Sequence, residues 1–503
     1  MMAARTSFLA LDLGAESGRA MLGRFDGERM SIEEIHRFPN TPVKLVDGMH
    51  WDVLRIFAEV KEGLKKATGE AGRIESLGVD SWGVDFGLLD RSGSLVSNPY
   101  YYRDPRTEGT EERAFERMPK AEIYGTTGIQ FMPINTLNQL LAFEGSPLLE
   151  AAEALLMTPD LIGYWLTGEK TWESTIASTS QLLDARSGDW AWGLLEKMGI
   201  PGRLFGEIEA PGTELGSLSP DIAGEAGAEG TSVTSVASHD TASAVAAVPA
   251  EGEDFAYISS GTWSLVGMEL PAPVITGDGM WANFTNEGGF GGTTRFLKNV
   301  MGLWILQECR RTWAREGHDY SYEELARLAE DAPALEALVD PDHPVFMPPG
   351  DMPLRIRRFC EATSQEPPRA PGEVARCVLE SLALKYRWVL EKAAEITGRD
   401  VRVVHVVGGG VRNELLCRLT AGATGLPVRA GPVEATALGN LLVQAYARGH
   451  VSSLEEMRAA VRRSVEVRDY EPRGSGDEWD EAFEKMRSFV KSAPDLDREG
   501  AST

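Results

Sequence analysis

Short apolar segments that end in glycine recur along the chain, and each has the pattern of a buried strand followed by a turn. Residues 6–13 and 19–25 form one such pair, and the segment Gly14–Gly18 between them predicts a hairpin. Residues 74–93 hold two more strand-like runs. Residues 50–69 instead have apolar side chains at helical spacing, which predicts an amphipathic helix against these strands.

The same succession begins again in the second half of the chain. Residues 231–238 predict a strand that leads into an alanine-rich helix, and residues 256–270 predict a strand, a glycine turn and a second strand. A helix over 372–397 is followed by a buried strand over 401–410, which ends in three glycines, and by a helix over 413–425. Strands that alternate with helices and hairpins predict an α/β fold.

The C-terminal region carries one further helical pattern. Its apolar residues lie three, four, seven and eleven positions after the first, which predicts a helix that packs one face on the rest of the protein. These residues are Trp479, Ala482, Phe483, Met486 and Val490. The tail after about residue 492 is polar, and we expect it to fray.

Size and charge narrow the class of protein. The 503 residues suffice for two to four domains, since a domain has about 100–200 residues. The net charge of −26 opposes binding to nucleic acid or to an anionic membrane. It does not oppose a phosphorylated ligand, because a cluster of backbone N–H groups holds phosphate locally.

The chain has no uninterrupted apolar run of about 18 residues, so we expect no membrane span. Asp12 interrupts the first apolar run, which is too short for a secretory leader. The four cysteines include no C-x-x-C pair, which suits a reducing compartment, and the cytoplasm is the expected location. Cys360 and Cys377 flank a proline-rich loop, and we favour free thiols there over a disulfide.

Three glycine turns follow apolar strands and are candidates for contact with phosphate: Gly14–Gly18, Ser260–Thr262 and Gly408–Gly410. A glycine turn between strands is more often only a hairpin. The common nucleotide motifs are missing, because Glu169 interrupts the nearest Walker A match and Asn413 ends the nearest dinucleotide fingerprint. No metal-spaced His/Cys cluster occurs, so any nucleotide is held by a different geometry.

Two aspartates end or follow predicted strands, where α/β folds place their binding clefts. Asp12 either closes the first glycine turn or positions Mg²⁺ beside phosphate, largely through water. Asp240 either caps the following helix or serves as a catalytic base. His239 beside it is more often a packed or capping residue than a catalyst. These alternatives stay open on the residues alone.

Seven segments together resemble the FGGY family of carbohydrate kinases and occur in the family's order. They are LDLGAESGR (11–19), GVDSWGVDFGLLD (78–90), SHDTASAV (238–245), SSGTWSLVG (259–267), TNEGGFGG (285–292), LKNVMGLWILQ (297–307) and VVGGGVRNELL (406–416). The resemblance covers about residues 6–470. It implies two actin-like (ribonuclease H-like) domains around a hinged cleft. Residues 1–246 are expected to form a domain that mainly binds the sugar, and residues 247–475 a domain that mainly binds ATP. Residues 476–503 are expected to form a helix and a tail.

The resemblance also implies which residues act. ATP is expected to contact Ala15, Glu16, Ser17, Gly18, Arg19, Thr262, Gln307 and Gly409. The sugar is expected to contact Gly83, His239, Asp240, Thr241 and Asn299, with Asp240 as the base and Asp12 serving Mg²⁺. A carboxylate suffices as the base, because phosphoryl transfer depends mostly on positioning and the proton leaves late. Glu16 is unexpected in a phosphate-binding turn, so its side chain must point away from the phosphates or contact the sugar or the metal instead.

The SSGTWS and HDTASAV segments favour the rhamnulose branch of the family over its xylulose and glycerol branches. The expected partners are therefore ATP and a small ketose, in a monomer or small homo-oligomer without nucleic acid or membrane. Two alternatives remain at this point: a kinase for another ketose, such as fuculose or xylulose, and a non-catalytic actin-like nucleotide sensor.

Overall fold

A computed structural model of the protein describes residues 5–473 and 476–491, so the predicted polar tail lies outside the described residues. Two compact units are present. The first comprises the described residues of Met1–Pro249, Glu269–Phe296 and Glu434–Val465. The second comprises those of Ala250–Met268, Leu297–Val433 and Glu466–Thr503.

The strands are short to medium in length, and most are separated by helices. They are β1 Thr6–Leu13, β2 Ser17–Phe25, β3 Met30–Pro39, β4 Val43–Leu45, β5 Gly48–His50, β6 Ser76–Ser81, β7 Phe86–Leu89, β8 Ala154–Met157, β9 Trp172–Glu173, β10 Ile208–Glu209, β11 Thr213–Ser217, β12 Ser232–Ser235, β13 Phe255–Ser260, β14 Trp263–Leu270, β15 Thr285–Gly288, β16 Thr294–Met301, β17 Val403–Val407, β18 Val428–Ala430 and β19 Arg468–Tyr470.

The helices range from single turns to one of 27 residues. They are α1 Val53–Ala71, α2 Thr110–Arg117, α3 Lys120–Thr127, α4 Thr136–Ala142, α5 Pro147–Ala151, α6 Thr158–Thr167, α7 Ser174–Ala177, α8 Trp192–Met198, α9 Pro220–Ala226, α10 Asp240–Ala246, α11 Gly277–Trp281, α12 Trp304–Arg315, α13 Tyr322–Asp331, α14 Met352–Ala362, α15 Pro371–Thr397, α16 Glu414–Thr424, α17 Ala435–Ala447, α18 Leu454–Ser464 and α19 Gly476–Lys491. Within the described ranges, none is apolar over enough length to cross a membrane.

The first unit is built on a six-stranded sheet in the order β11-β12-β6-β1-β2-β3. Strands β1, β2 and β3 form an antiparallel meander, and β6 and β12 extend the sheet in parallel with β1. The predicted first hairpin is therefore confirmed. The carboxyl ends of β1, β6 and β12 lie at one edge of the sheet, where the chain leaves each strand.

Helices cover both faces of this sheet because side chains alternate along a strand. Leu9, Leu11 and Leu13 of β1 belong to one apolar core with Val60 and Leu64 of α1. On the opposite face, a separate core joins β1 and β2 to α10, α17 and α18, and its members include Phe8, Ala10, Ala242, Leu438 and Leu441. By the same alternation Asp12 shares the face of Phe8 and Ala10, which places it on the side of α10 and α17.

In the second unit, five strands of the sheet follow the order β14-β13-β17-β18-β19. The pair β13–β14 is an antiparallel hairpin, and β17 and β18 run parallel to β13. The predicted strand, turn and strand over 256–270 and the buried strand within 401–410 are confirmed. This unit thus repeats the plan of the first: a hairpin, then parallel strands with helices between them.

Two helices of the second unit that the apolar spacing predicts are present. The helix predicted over 372–397 is α15, whose buried residues include Val378 and Leu382. The C-terminal pattern forms α19, in which Trp479, Ala482, Phe483 and Met486 are buried as predicted. Near its end Phe489 is buried and Val490 only half-buried, because the turns of α19 bring position 489 round to the packed face.

Helix α10 reaches its position only because glycine lies opposite it. A Cβ added to Gly439 of α17 would lie 1.8 Å from the carbonyl oxygen of Ser243 in α10. Backbone atoms cannot yield as a flexible side chain can, so the two helices would have to separate. Since Asp240 begins α10, this close approach also fixes the position of that carboxylate.

We expect Gly439→Ala to lower the free energy of unfolding by about 1–3 kcal/mol, the cost typical of overpacking a filled core. Chemical unfolding followed by tryptophan fluorescence measures this change. Gly69→Ala is the matched control, because Gly69 is exposed on α1 with no atom within 4 Å of the added Cβ. Equal stability of the two variants would contradict this account.

Candidate active site

Four carboxylates of the first unit converge where β1 and β6 end. Asp12 and Asp80 are register partners on these parallel strands, so their side chains emerge on the same face of the sheet. Asp240 is the first residue of α10, and Glu434 immediately precedes α17. Asp240 raises the pKa of both Asp12 and Asp80 electrostatically, and Glu434 raises that of Asp12, which shows how close the group is.

Arg19 supplies positive charge to this group. Its guanidinium forms ion pairs with both Asp12 and Glu434. Burial raises the pKa of Asp12 above its ordinary value, and Arg19 offsets part of that rise. Burial lowers the pKa of Arg19, but the two carboxylates raise it more, so Arg19 remains charged. Arg19 lies at the start of β2, directly opposite Asp12 in the hairpin register.

Asp80 is fully buried, and only one of its two carboxylate oxygens has a hydrogen-bond partner. One carboxylate oxygen accepts a hydrogen bond from Asn440 Nδ2 at 2.6 Å, and the other, Oδ1, has no hydrogen-bond partner. Burial raises the pKa of Asp80 well above its usual range, and the charge of Asp12 raises it further. A buried polar atom without a partner is costly, so an unfilled oxygen beside Asp12 indicates a place for a cation or a proton.

Asp240 does not cap its helix, so that alternative from the sequence is wrong. His239 occupies the cap position with extended backbone angles, and no side chain caps α10. The Asp240 side chain is 31% exposed, compared with 8% for Asp12 and 22% for Glu434, so it is the most accessible of these three acids. Its Oδ1 accepts a hydrogen bond from Thr241 Oγ1 at 3.0 Å and lies 3.4 Å from His239 Nε2.

His239 is buried and held from its other side. Arg295 Nη2 lies 3.0 Å from His239 Nδ1, and Glu287 Oε2 lies 3.3 Å from the same nitrogen. The backbone N–H of His239 donates to Thr175 Oγ1 at 3.2 Å. These contacts fix the ring beside Asp240.

Gly83 lies in a constrained turn between β6 and β7. The next residue, Val84, has φ of 68°, a left-handed conformation that is strained for a β-branched residue. Its N–H donates to Thr179 Oγ1, and its carbonyl accepts from Thr136 Oγ1 at 2.7 Å. Such strain persists only where the surroundings hold it, and it is concentrated at functional sites.

The buried carboxylate of Asp85 anchors this turn. It accepts hydrogen bonds from Trp51 Nε1 at 2.6 Å, Trp82 Nε1 at 2.8 Å and Gln139 Nε2 at 2.9 Å. The two tryptophan rings also pack on each other, with centroids 4.4 Å apart. Burial raises the pKa of Asp85 to about 6 in spite of these three donors.

The first glycine turn is held by its own backbone and by Asn40. Gly14 N–H donates to Ser17 O at 3.0 Å, and Asn40 Nδ2 donates to Gly14 O at 2.9 Å. Asn40 N–H in turn donates to Glu16 O. Glu16 is exposed, so its side chain is not packed within the turn, and its position relative to phosphate stays a prediction.

The second unit contains a cavity of about 910 Å³. Thr262, Gln307 and Gly409, all predicted from the resemblance to contact ATP, line it together. Gln307 Nε2 donates to Thr262 Oγ1 at 3.3 Å, so α12 and the β13–β14 turn share this wall. The volume lies at the upper end of the range of ligand pockets, about 300–1,000 Å³.

The three glycines that follow β17 have different local environments. Gly408 has φ of 85°, which favours glycine, and a Cβ on Gly410 would lie 2.0 Å from Ser260 Oγ. These two glycines therefore let β17 end close against β13. Gly409 is exposed, with no atom near an added Cβ, and presents bare backbone to the cavity.

The structure thus gathers the predicted residues in two places. Ala15–Arg19, Gly83, His239, Asp240 and Thr241 lie in the first unit with Asp12. Thr262, Gln307, Gly409 and Asn299, the last on β16, lie in the second. Sequence reasoning missed Asp80, Glu287, Arg295, Glu434 and Asn440. Asp80 ends a strand as Asp12 does, a signal that the sequence carries; the others are joined to the site only by the fold.

One further prediction can be scored in the described residues. All four cysteines are buried free thiols, so the preference for free Cys360 and Cys377 is confirmed. The segment from Tyr102 to Thr107 is capped by Asp104, whose side chain accepts from Arg106 N–H, so the segment begins a capped helical turn.

Two α/β units, one with strand-end carboxylates and the other with a glycine-lined cavity, are the organisation expected of a phosphotransferase of the actin-like class. The sequence matches the FGGY family of carbohydrate kinases, with the N-terminal domain over residues 7–247 and the C-terminal domain over residues 256–448. The chain belongs to this family, and it is an enzyme that phosphorylates a carbohydrate. The two-domain α/β class and the family predicted from the sequence are confirmed.

Relatives of known name cover nearly the whole chain. A rhamnulokinase of Bacteroides thetaiotaomicron is 43% identical over 489 residues, 97% of this chain and all of the relative. A rhamnulokinase of Enterococcus faecalis is 42% identical, covering 93% of this chain and 94% of the relative.

Solved structures share the fold at lower identity. A gluconate kinase of Lactobacillus acidophilus superposes with a TM-score of 0.79 at 16% identity, covering 97% of each chain. A Plasmodium falciparum glycerol kinase with ADP gives 0.75 at 14% identity, covering 97% of this chain and 98% of that one. At such identity these matches establish the fold alone.

The raised pKa of Asp85 predicts a pH-dependent stability. The folded state holds this proton more tightly than the unfolded state, so the contribution is present at low pH and is lost as pH rises through about 6. Relative to Asp85→Asn, the wild type should lose about 1 kcal/mol of unfolding free energy between about pH 5 and pH 7. Chemical unfolding of both proteins across that range measures the difference. A difference that does not change with pH would refute the assignment.

Proposed function

We propose that the protein transfers the γ-phosphoryl group of ATP to the 1-hydroxyl of L-rhamnulose, giving L-rhamnulose 1-phosphate and ADP, a step in the breakdown of L-rhamnose. The rhamnulokinases that align with nearly the whole chain support this substrate. The dependence on ATP and the free thiols favour the cytoplasm as the place of action.

The observation that carries the proposal is the position of Asp240. Its carboxylate begins α10 beside the ends of two parallel strands, is partly exposed, and is not consumed by helix capping. Asp240 therefore has an oxygen available to accept the proton of the sugar hydroxyl as phosphoryl transfer proceeds. His239 and Thr241 flank it, and both contact its Oδ1, which leaves Oδ2 for the substrate.

The remaining sugar contacts are proposed from the family resemblance. Gly83 contributes backbone from the strained turn that Asp85 holds, and Asn299 contributes an amide from β16. A backbone whose conformation is fixed by its surroundings suits recognition of hydroxyl groups, because little ordering remains to be done on binding. Thr241 is buried behind Asp240 and limits how that carboxylate rotates.

The nucleotide contacts are likewise proposed. In the second unit, Thr262, Gln307 and Gly409 line a cavity large enough for ATP. In the first unit, the turn Ala15–Arg19 offers backbone N–H groups and the Arg19 guanidinium to phosphate oxygens. Glu16, whose side chain is exposed, is expected to contribute its backbone N–H.

Mg²⁺ fits the acids of the first unit. Asp12 provides a carboxylate at the end of β1, and the buried Oδ1 of Asp80 beside it has no partner. In the described part of the chain, no cluster of three or more His, Cys, Asp or Glu residues is arranged to hold a metal. A Mg²⁺ site does not need such a cluster, because Mg²⁺ usually binds one or two carboxylates, keeps several waters and takes further oxygens from phosphates. When bound, it would neutralise part of the phosphate charge.

Asp240→Asn should lower kcat by about 10²–10⁴-fold, the range that general base catalysis contributes. The amide keeps the shape of the side chain but cannot accept the proton, so ATP binding and thermal stability should be unchanged. ADP release in a coupled assay measures turnover, and calorimetry measures nucleotide binding.

Asp221→Asn is the matched control, because Asp221 also lies exposed in the first turn of a seven-residue helix, α9, of the same unit. It should retain the turnover of the wild type. Turnover of Asp240→Asn within about threefold of this control would disprove the role of Asp240 as base.

The substrate is tested with L-rhamnulose, L-fuculose, D-xylulose and glycerol as separate acceptors. We expect the highest kcat/KM with L-rhamnulose and a product that carries phosphate on the 1-oxygen, as identified by phosphorus–proton correlation spectra. A higher kcat/KM with another ketose would replace the proposed substrate. Absence of sugar-stimulated ADP release with every acceptor would instead favour the nucleotide-sensor alternative.

A further inference from the structure

A buried ion pair lies behind His239, on the side of the ring away from Asp240. Arg295 is completely buried, and its Nη1 lies 3.1 Å from Glu287 Oε2. Its Nε donates to the carbonyl oxygen of Gly288 at 2.8 Å. Both charged residues come from TNEGGFGGTTR, a segment that stands out in the sequence for its glycines and not for its charges.

The charges of this pair compensate each other. Burial raises the pKa of Glu287, and the charge of Arg295 is the largest of the influences that bring it below the ordinary value. Glu287 is therefore ionised, and Arg295 is always charged in proteins. A buried pair of this kind costs desolvation energy that a hydrophobic pair would not, so its presence at this position suggests a role other than stability.

Arg295 and Glu287 both approach His239 Nδ1, but they make opposite demands on it. An arginine only donates hydrogen bonds, so its contact at 3.0 Å requires Nδ1 to be an acceptor without a proton. Glu287 at 3.3 Å would require Nδ1 to carry a proton. The Arg295 contact has hydrogen-bond geometry, whereas Glu287 Oε2 forms no hydrogen bond of acceptable geometry. Arg295 therefore decides the state of Nδ1.

We infer that Arg295 is a positioning residue that holds His239 as the neutral tautomer with its proton on Nε2, directed at the Asp240 carboxylate. Nε2 and Asp240 Oδ1 are 3.4 Å apart and are not hydrogen-bonded in this structure, so an N–H on Nε2 would orient that oxygen by electrostatic attraction. The inference rests on the proposed role of Asp240 as base.

The other groups that face His239 agree with this tautomer. Thr175 Oγ1 accepts from the backbone N–H of His239 and leaves the ring nitrogens to the other partners. Asp240 has no proton to donate to Nε2 when it acts as a base, so it requires a donor there. With Arg295 donating at one nitrogen and the Asp240 carboxylate near the other, His239 serves as a fixed donor and Asp240 keeps the role of acceptor.

The tautomer is measured directly on the full-length protein. Labelling histidine with ¹⁵N and recording long-range ¹H–¹⁵N correlations at pH 7 distinguishes the two neutral tautomers from the imidazolium. The chain has seven histidines, and loss of one signal set in His239→Gln assigns the residue. We expect a neutral ring protonated on Nε2. A proton on Nδ1, or on both nitrogens, would overturn the inference.

Arg295→Met combined with Glu287→Gln removes both charges and so avoids a lone buried carboxylate. In this variant His239 should lose its single tautomer. kcat should fall about 10- to 100-fold with KM for ATP unchanged, the scale of losing a hydrogen bond to a charged group. A single Nε2–H tautomer together with unchanged kcat in a folded variant would also overturn the inference.

Arg376→Met combined with Glu380→Gln is the matched control for loss of a largely buried ion pair. Arg376 Nε lies 2.6 Å from Glu380 Oε1 on α15 of the second unit, and Arg376 also donates to the carbonyl oxygen of Ala329. This variant should keep the His239 tautomer and kcat. Failure of the proposed function can be told apart from failure of this inference. Turnover of Asp240→Asn at the level of its control would disprove the role of Asp240 as base. The tautomer of His239 is measured independently, by the spectrum of the wild-type protein.

Discussion

Repulsion among closely spaced carboxylates is the constraint on which the site of the first unit depends. Asp12, Asp80, Asp240 and Glu434 meet at one end of the sheet, and Asp12 and Asp80 have pKa values raised by burial and by the neighbouring acids. Arg19 compensates only part of this charge. The sheet register and the close contact of α10 with α17 hold the acids together against their repulsion. A site held in this way would favour a cation and accept a proton, two properties that suit the proposed phosphoryl transfer to a hydroxyl.

In the second unit the candidate site is a cavity and not a group of converging carboxylates. The cavity is lined by the backbone and neutral side chains of Gly261, Thr262, Gln307 and Gly409, together with three glutamates and three arginines of balancing charge. A wall without net negative charge would accept phosphate without repulsion, although the protein as a whole is strongly acidic. The repeated hairpin-and-strand plan thus supports two separate chemistries. The turns and side chains at the strand ends decide between them, and the strands themselves do not.

Local patterns in the sequence predict most elements of the fold, because periodicity and glycine turns act over a few residues. The first hairpin, α15, α19 and the strand before Gly408 are all found this way. Local patterns give no sign that Glu269–Phe296 and Glu434–Val465 return to the first unit. The predicted domain limits at 246 and 475 therefore stay predictions. Positive φ at Gly291 and Gly292 also explains two glycines that the sequence alone does not.

The site is less predictable than the fold, because its charges are compensated across long separations in the chain. Motifs locate Asp12 and Asp240, but Arg295 is 56 residues from His239, and Glu434 is 415 residues from Arg19. The adjacent pair His239-Asp240 is informative only once these partners are known. From the sequence alone, Asp240 resembles a helix cap. In the structure His239 occupies the cap position and its ring is held by Arg295, so the Asp240 carboxylate is oriented and accessible. The chemistry of the pair therefore comes from the residues that surround it.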